Sequence, residues 1–350
     1  MPDGLQGSGW VETPYCRPAG EGTRAQCLLC PHHCRLKEGG RGICRVRVVR
    51  EGKVWATNYG RVGALNLDPT EKKPLFHFYP GSHLLSVGLP GCNLTCSFCQ
   101  NWELSQAEPD TAWISPEELA DRAAQLRVSE PKTVGIAYTY AEPLMAFEYV
   151  RDAAAAARAR DLRSVLVTNG YVSPEPRREI LAVTDALNVD VKGFTASFYR
   201  RACGATLGPV LETVEEACAT GVHVEVTNLL IPGLNDSSDE VESLCRWLGG
   251  ISKDIPLHFT RYFPNYHLDL AATPLETLRR AGEIARGYLR FVYLGNAGEG
   301  EGTYCPACGA VLIVRRGYAV GVTGLNEGPQ GWRCRACAEP IPIRGNLMTG

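Results

Sequence analysis

The chain has 350 residues, which is enough for about two domains. A hydrophobic fraction of 45% and a charged fraction of 21% are typical of a globular enzyme with a substantial core. The net charge of −2 gives no electrostatic basis for a nucleic-acid or membrane-surface partner, so we expect neither. No apolar run approaches the ~18 residues of a membrane span, and the first residues lack the pattern of a secretory signal.

The cysteine content is high, with 15 cysteines in the chain. Disulfide frameworks are typical of short secreted proteins, whereas this chain is long and shows no export signal. Most of the cysteines fall in three tight clusters that have the spacing of metal ligands. We therefore predict several metal sites in a protein of the reducing cytoplasm.

The N-terminal part is predicted to be a disordered lead over residues 1–24, followed by a four-cysteine module with a small β unit over residues 25–81. The candidate ligands follow the spacing C-x2-C-x3-C-x9-C and are Cys27, Cys30, Cys34 and Cys44. Zinc is the default occupant of such a closed site, and a second iron–sulfur cluster is the competing interpretation. His32 and His33 are interpreted as surface residues or neighbours of the ligands, because four thiolates already satisfy a metal.

The central part, residues 82–297, alternates apolar strands with helical segments. The predicted strands are 83–88, 133–138, 164–168, 186–191, 222–230, 257–262 and 289–294. This βαβα order predicts a parallel sheet with right-handed crossovers. The segment is short for an eight-fold barrel, so an open partial barrel of about six βα units fits.

The first of these strands leads into Cys92, Cys96 and Cys99, which have the spacing C-x3-C-x2-C. A [4Fe–4S] cluster normally takes four cysteine ligands, so three ligands leave one iron open to a small molecule. A zinc knuckle or loose core thiols are the alternative. Structural zinc needs a fourth ligand, and none stands nearby in the sequence.

Polar residues gather where the predicted strands end, at the edge where parallel barrels place their chemistry. These residues are Glu142, Thr168, Asn169, Asp190, Lys192 and His258. Each has a plainer interpretation. Glu142 could be an ordinary turn carboxylate, Asp190 and Lys192 a surface ion pair that contributes little, and His258 a hydrogen-bonded core residue.

Cys203 stands out among the cysteines outside the clusters. It precedes Gly204 in a predicted loop, whereas Cys218 and Cys245 lie at apolar helix positions and are interpreted as buried thiols. We treat Cys203 as a candidate catalytic residue that donates a hydrogen atom or binds a ligand. An inert buried thiol is the alternative.

The C-terminal part, residues 298–350, follows a Gly-rich linker at 295–300 and holds the third cluster. Two C-x2-C knuckles flank a β-like stretch and supply Cys305, Cys308, Cys334 and Cys337. This pattern predicts a zinc ribbon. Rubredoxin-like iron is the alternative occupant.

The cysteine segment 92–99, in which Phe98 precedes the third cysteine, resembles the signature of radical S-adenosylmethionine (SAM) enzymes. The resemblance implies a TIM-like partial barrel in which the open iron of a [4Fe–4S] cluster binds SAM. It also implies that an electron from a flavodoxin- or ferredoxin-type donor cleaves SAM to a 5′-deoxyadenosyl radical. This radical would abstract hydrogen from a substrate. Because the chemistry belongs to the cofactor, the resemblance implies that the protein positions the substrate and shields the radical.

The strand ends resemble those of pyruvate formate-lyase-activating enzymes, which are members of the same superfamily. The similar segments are Thr168-Asn169-Gly170, Asp190-Val191-Lys192 and the strand that holds His258. The resemblance implies that these residues and Glu142 contact SAM. The chain departs from the activases at Val167, where they have an acid.

Residues 25–340 resemble radical SAM enzymes of the AmmeMemoRadiSam system, which are relatives of the glycyl-radical activases. The motifs are Leu-Cys-Pro-His-x-Cys at 29–34, the run 71–82, Cys-Gln-Asn-Trp at 99–102, Gly-Asn-Ala at 295–297 and Thr-Tyr-Cys-Pro at 303–306. Leu89 and Ala141 depart from that family's pattern. The resemblance implies a Memo or AMMECR-like partner.

The sequence therefore predicts a radical SAM enzyme that abstracts hydrogen from an unidentified small molecule, peptide or protein. A glycyl-radical activase is an alternative, although no ferredoxin-like insert follows Cys99. An alternative of another class is a metal-stabilised binding scaffold without catalysis. Further pocket candidates are Tyr138, Tyr140, Arg261 and Tyr262.

Overall fold

The N-terminal module is built from short antiparallel strands. The computed structural model describes residues 9–20, 22–298, 301–329 and 331–348. The strands of the module are β1 (Val11–Glu12), β2 (Cys16–Pro18), β3 (Ala25–Cys27), β4 (Arg35–Leu36), β5 (Arg47–Arg50), β6 (Lys53–Ala56) and β7 (Arg61–Val62). Strands β1, β6 and β5 form one sheet, and β2, β3 and β4 form another.

The first strands correct the prediction of a disordered lead over residues 1–24, of which 1–8 and 21 lie outside the described residues. Strand β1 pairs with β6, and β2 pairs with β3. These ladders satisfy backbone groups that a disordered lead would leave to water. Between the two strands, the ring of Tyr15 packs edge-on against Phe147 at 5.2 Å between centroids. Strands of two and three residues are too short to show an alternating pattern, so the sequence carries no signal for them.

The central sheet has eight strands, of which all but one run parallel. The strands from this part of the chain are β8 (Ala64–Pro69), β9 (His83–Gly88), β10 (Ala112–Trp113), β11 (Thr133–Tyr138), β12 (Arg163–Thr168), β13 (Ala186–Asp190), β14 (His223–Leu230), β15 (Leu257–Arg261) and β16 (Val292–Gly295). The sheet order is β16-β15-β14-β13-β12-β11-β9-β8, with only β8 antiparallel to its neighbour, and β10 pairs with β7 instead. The predicted α/β fold is confirmed, and the curvature of a partial barrel stays a prediction.

Helices connect the parallel strands. They are α1 (Trp102–Gln106), α2 (Pro116–Ser129), α3 (Phe147–Arg158), α4 (Pro174–Leu181), α5 (Ala196–Phe198), α6 (Gly208–Ala219), α7 (Ser238–Ile251) and α8 (Leu275–Arg286). Helix α2 begins as its sequence predicts, because the Ser115 hydroxyl accepts a hydrogen bond from the Glu118 N–H at 3.0 Å. Since these connections return the chain to the same edge, the carboxyl ends of the parallel strands β9 and β11 to β16 all lie at one edge of the sheet.

The C-terminal module is a set of antiparallel strands that packs against the central part. Its strands are β17 (Gly302–Tyr304), β18 (Val311–Arg316), β19 (Ala319–Val322), β20 (Leu325–Gly328) and β21 (Gly331–Cys334). Arg315 is almost fully buried and donates to the Phe76 carbonyl at 2.7 Å and to the Thr303 hydroxyl at 2.8 Å. The module is therefore fixed to the segment 71–82. The predicted linker overlaps the end of β16, and its residues 299 and 300 lie outside the described residues.

No helix in the described part of the chain is long and apolar enough to cross a membrane.

Candidate functional site

A cleft of about 930 Å³ opens at the carboxyl ends of the central strands. The structure brings the predicted residues of the central part together along its wall: Cys92, Cys96, Cys99, Glu142, Thr168, Asn169, Asp190, Lys192 and His258. Cys203 is the exception. The cleft lies at the edge of the sheet where parallel α/β folds place their ligands.

The loop with the three cysteines is held in a tight conformation beside strand β9. Gly91 has a φ of +104°, and a Cβ at this position would lie 2.7 Å from Val46 Cγ1. The Cys92 sulfur accepts hydrogen bonds from the Leu94 N–H at 3.4 Å and from Asn169 Nδ2 at 3.6 Å. The Cys99 sulfur lies 3.2 Å from the Ser105 hydroxyl. These donors suit thiolates, which are the metal-binding form of cysteine.

Burial raises the pKa of Cys92 well above its ordinary value and also raises the pKa of Cys99. Without a cation the three sulfurs would therefore stay protonated at neutral pH. Metal binding requires deprotonated thiols and lowers their pKa. The buried set with its sulfur-directed donors fits iron as an occupant.

Cys203 supports the cysteine loop from behind the cleft. The Thr95 N–H donates to the Cys203 carbonyl at 2.9 Å, and the Ser97 N–H donates to the Ala202 carbonyl at 3.3 Å. The Cys203 side chain is fully buried and is absent from the cleft wall. Hydrogen bonding with this thiol is the main cause that raises the pKa of Cys96. Cys203 does not line the cleft and contacts Cys96 instead, so its role as a hydrogen-atom donor stays a prediction.

Glu142 connects two strand ends through its carboxylate. One oxygen accepts from the Thr168 hydroxyl at 2.6 Å and from the Leu144 N–H at 3.0 Å, and the other accepts from the Asn169 N–H at 2.8 Å. Burial outweighs these hydrogen bonds and raises the pKa of Glu142 to about 7. Glu142 thus fixes the Thr168–Asn169 turn and carries a charge that changes near neutral pH.

Asp190 ends strand β13, Lys192 follows it, and the two side chains form an ion pair within the cleft. The Lys192 Nζ lies 2.7 Å from a carboxylate oxygen of Asp190, and both side chains are half-buried. Burial opposes the ammonium charge, but Asp190 and Cys96 raise the pKa of Lys192 above its ordinary value. The pair is therefore charged beside the cysteine loop. It is not the isolated surface pair of the alternative interpretation.

His258 belongs to a buried network centred on Glu225. The Glu225 carboxylate pairs with His258 Nε2 at 2.7 Å and with His223 Nε2 at 2.9 Å. It also accepts from the backbone N–H groups of Phe76 and His77 at 3.0 and 2.7 Å. Burial alone would raise the pKa of Glu225, but the hydrogen bonds from the two histidines bring it well below its usual value. His258 is thus held at the cleft wall by a fixed carboxylate.

The cleft wall includes Tyr140, which was a pocket candidate, and also Lys72 and Lys73, which the sequence patterns did not identify as functional. Lys73 Nζ and Lys72 Nζ each lie 2.7 Å from a carboxylate oxygen of Asp68, and the Tyr140 hydroxyl donates to the same carboxylate at 2.5 Å. Tyr140 has a φ of +70°, which is rare for a residue with a side chain. The signal for Lys72 and Lys73 was only their place in the motif 71–82, which had no assigned role. Tyr138, Arg261 and Tyr262 do not line the cleft.

The two four-cysteine sets differ in the spacing of their sulfurs. In the C-terminal set all four sulfurs lie within 4.8 Å of one another, with pairs at 3.5 and 3.7 Å. Among the described residues this is the one group of three or more cysteine, histidine or acidic side chains that meets that spacing. The N-terminal four cysteines instead line a small cavity together with Arg47 and His32.

Comparison with known proteins agrees with this geometry. A sequence model described as "Radical SAM superfamily" matches residues 86–248. The chain is 42% identical to the uncharacterized protein MJ0808 of Methanocaldococcus jannaschii, over 91% of this chain and 96% of that one. It is 25% identical to the pyruvate formate-lyase 1-activating enzyme of Escherichia coli (strain K12), over 60% of this chain and 90% of that enzyme.

A solved structure of similar fold is that of a radical SAM methyltransferase from Sphaerobacter thermophilus. It aligns with a TM-score of 0.51 and 15% sequence identity, covering 87% of this chain and 81% of that one. At this identity the likeness concerns the fold alone.

Proposed function

We propose that Cys92, Cys96 and Cys99 hold the [4Fe–4S] cluster of this chain, which belongs to the Radical SAM superfamily and is a radical SAM enzyme. SAM would occupy the adjoining cleft. The observation that carries the proposal is the convergence of these three cysteines with Glu142, Asp190, Lys192 and His258 on one cleft. Three thiolates leave one iron without a protein ligand, as SAM binding requires.

When bound, the cluster and SAM supply a 5′-deoxyadenosyl radical, and the protein positions and shields it. Glu142 holds Thr168 and Asn169 in place, and in its ionised form it attracts the SAM ammonium. The Lys192 ammonium faces the cleft and suits the SAM carboxylate as a point charge. His258, fixed by Glu225, lines the same cleft.

The substrate in this proposal is an unidentified small molecule, peptide or protein from which hydrogen is abstracted. A glycyl-radical activase is the second candidate, and the similarity to pyruvate formate-lyase 1-activating enzyme favours it. Against an activase of the two-cluster type, helix α1 begins at Trp102, soon after Cys99, so no ferredoxin-like insert separates them. A catalytically inactive scaffold is the third candidate, and the convergence of charged groups on one cleft speaks against it.

Membership of the AmmeMemoRadiSam subfamily is part of the proposal, with a Memo or AMMECR-like partner and a cytoplasmic location. Its structural support is the motif 71–82, which contributes Glu71, Lys72, Lys73 and Phe76 to the cleft wall. A motif that lines the cleft is suited to contacting a substrate. Radical SAM relatives use a reductant such as flavodoxin or ferredoxin, and we propose the same class of donor here. We assign zinc to the C-terminal set, because Zn–S bonds of about 2.3 Å in a tetrahedron place sulfurs about 3.8 Å apart.

The test is SAM cleavage by the full chain. The protein is purified anaerobically, reconstituted with iron and sulfide, reduced with dithionite and supplied with SAM, and 5′-deoxyadenosine is measured. We expect product from the wild type and none from the Cys92→Ala/Cys96→Ala/Cys99→Ala variant. No product from a wild type that contains an intact [4Fe–4S] cluster would contradict the proposal and favour the scaffold.

The molecule from which hydrogen is abstracted distinguishes the two enzymatic candidates, a glycyl-radical activase and an enzyme that acts directly on its own substrate. A glycyl-radical activase would leave a backbone radical on a partner protein, which is detected by electron paramagnetic resonance after mixing. Direct hydrogen abstraction would transfer deuterium from a labelled substrate into 5′-deoxyadenosine. Deuterium transfer without a partner radical would exclude the activase.

A further inference from the structure

We propose that Cys27, Cys30, Cys34 and Cys44 hold a second iron–sulfur cluster of the [4Fe–4S] type, which passes electrons to the cluster site in the cleft. Four cysteines are the complete ligand set of such a cluster. Sequence spacing alone does not separate this cluster from zinc, which four thiolates bind equally well. The geometry of the folded site and the residues around it favour the iron–sulfur cluster over zinc.

The spacing of the sulfurs is the first observation. A zinc ion draws four sulfurs to about 3.8 Å from one another, and the C-terminal set has this spacing, with pairs at 3.5 and 3.7 Å. Within the described residues, no three sulfurs of the N-terminal set meet the 4.8 Å limit that the C-terminal set satisfies. The cleft cysteines do not meet it either. In a [4Fe–4S] cluster each thiolate binds a different iron, so the sulfurs stand apart around a central volume.

A residue that lines the cavity between these sulfurs has an unsatisfied donor, which is the second observation. Arg47 is 1% exposed and lines the cavity with the four cysteines. Its terminal nitrogens donate to the Glu148 carboxylate at 2.7 Å and to the Met145 carbonyl at 3.0 Å. Its Nε–H is buried without a partner. A buried donor of this kind is costly unless an acceptor is present, and the sulfides and thiolates of a cluster are such acceptors.

The cavity lies next to the cleft cysteines, as electron transfer between two clusters requires. The Asn93 side chain is within hydrogen-bonding reach of the Cys30 sulfur, and Asn93 follows Cys92 in the chain. Asn169 Nδ2 contacts both the Asn93 side-chain oxygen at 3.0 Å and the Cys92 sulfur at 3.6 Å. A Cβ on Gly91 would lie 2.9 Å from the Cys44 carbonyl. A ligand of each site is therefore joined to the other by a short run of bonds and hydrogen bonds.

The outer side of the cavity is open to a donor protein. Ile43 lines the cavity and is 45% exposed, and the Cys34 side chain is partly exposed. The flanking segment 35–45 carries exposed cationic side chains at Arg35, Lys37, Arg41 and Arg45 and one acid, Glu38, and Arg41 also pairs with Glu108 at 3.8 Å. This local excess of positive charge contrasts with the net charge of −2 for the chain. It would attract an acidic one-electron carrier.

The electron balance is simple. A reduced low-potential carrier of the flavodoxin or ferredoxin class loses one electron, and the N-terminal cluster passes from the 2+ to the 1+ state. The same electron then leaves the N-terminal cluster and reduces the cleft cluster from 2+ to 1+. No proton or bond changes in either transfer.

The first experiment removes the cleft ligands and asks what the chain still binds. The Cys92→Ala/Cys96→Ala/Cys99→Ala variant is reconstituted anaerobically, and iron, acid-labile sulfide and zinc are measured per chain. We expect about four irons and about four sulfides to remain, and to disappear when Cys27, Cys30, Cys34 and Cys44 are also changed to Ser. Zinc without sulfide in the triple variant would overturn the proposal, whether or not the wild type cleaves SAM.

A wild-type measurement keeps this test decisive if the variants fold poorly. Mössbauer spectra of the fully reconstituted chain should account for about eight irons in two cubane clusters. A spectrum of a single cluster, together with two zinc ions, would overturn the proposal.

The second experiment tests the relay and rests on the proposed function. SAM cleavage driven by reduced flavodoxin is compared with cleavage driven by dithionite, a small reductant that needs no docking surface. For Arg35→Glu/Lys37→Glu we expect a loss of about tenfold with flavodoxin only. The charge-matched control is Arg279→Glu/Arg286→Glu on α8, which packs against β15 and β16 at the other end of the sheet.

The arms of this experiment distinguish the possible failures. Absence of product with dithionite in the wild type would count against the proposed function. Product with dithionite, combined with equal flavodoxin-driven rates in wild type and both variants, would overturn the relay.

Discussion

The two four-cysteine regions use the same ligand type in opposite settings. In the N-terminal region Cys27, Cys30 and Cys44 are buried within the main core. In the C-terminal region Cys308 and Cys337 are exposed, and the module packs around a small core that it shares with Phe76, Phe291 and Tyr293. The N-terminal sulfurs stand apart beside a buried arginine, whereas the C-terminal sulfurs touch. Under the assignments proposed above, the number of cysteines defines a metal site, while the surroundings of the sulfurs decide which metal the site takes.

The largest expected effect is the loss of the C-terminal metal. In Cys308→Ser/Cys337→Ser two of four ligands are gone, and the free energy of zinc binding to a small domain, about 10–16 kcal/mol, is also its folding free energy. We expect residues 301–348 to unfold while the central sheet remains folded. Hydrogen exchange measured by mass spectrometry checks this, and protection of β18 equal to that of the wild type would contradict it.

The next effect compares two arginines. Arg47 and Glu148 form an ion pair whose side chains are each 1% exposed, so Arg47→Met leaves a buried charge unpaired and should cost about 3–5 kcal/mol. Arg290 pairs with Asp254 at 2.9 Å and with Glu339 in a half-exposed position, so Arg290→Met should cost about 0–1 kcal/mol. Urea unfolding at neutral pH measures both. Equal costs would show that the N-terminal region is no more dependent on its buried charge than the C-terminal region.

The pH dependence of stability should differ between Glu142 in the cleft and Glu148, which pairs with Arg47 of the N-terminal region. The raised pKa of Glu142, about 7, means that the folded protein holds this proton more tightly than the unfolded chain. Glu142 therefore opposes folding increasingly as pH rises from its unfolded pKa, near 4.5, to about 7. Glu142→Gln should gain stability relative to wild type between pH 5 and pH 8. Glu148, whose pKa is lowered by Arg47 against the effect of burial, is ionised throughout this range.

Unfolding midpoints in urea at pH 5 and pH 8 test whether Glu142→Gln gains stability relative to wild type as the pH rises. The same ionisation predicts that SAM binds more tightly above pH 7, when the carboxylate faces the SAM ammonium. A difference between Glu142→Gln and wild type that does not change with pH would contradict the assignment.

The smallest expected loss of stability comes from substituting two glycines, one near the N-terminal cysteine set and one in the C-terminal set. Gly91 has a φ of +104°, and its Cβ would collide with Val46 at 2.7 Å, so Gly91→Ala should cost about 1–3 kcal/mol. Gly309 follows Cys308 with a φ of +72° and open space around it, so Gly309→Ala should cost about 1–2 kcal/mol of backbone strain alone. Thermal unfolding midpoints rank the two variants. A larger loss of stability in Gly309→Ala than in Gly91→Ala would contradict this expected ranking.

Much of this architecture could be predicted from the sequence, because strands such as Thr133–Tyr138 are continuous buried runs between helices with clear start signals. The strand-end residues could be placed at one edge because parallel strands end together. Three features depend on tertiary contacts that no local pattern records. These are the strands at 11–18, the burial of Cys203 behind the cleft, and the Asp68–Lys73–Tyr140 cluster. Likewise, no spacing rule distinguishes sulfurs that touch from sulfurs that surround a cavity.

The turn between β18 and β19 has a consequence for regulation by metal supply. Arg316, Gly317 and Tyr318 form part of the cleft wall, although they belong to the module that the C-terminal cysteines hold together. A molecule that contacts this turn binds only the folded, metal-loaded module. Linkage then requires reciprocity: the metal raises the affinity for that molecule, and the molecule raises the affinity for the metal by the same factor.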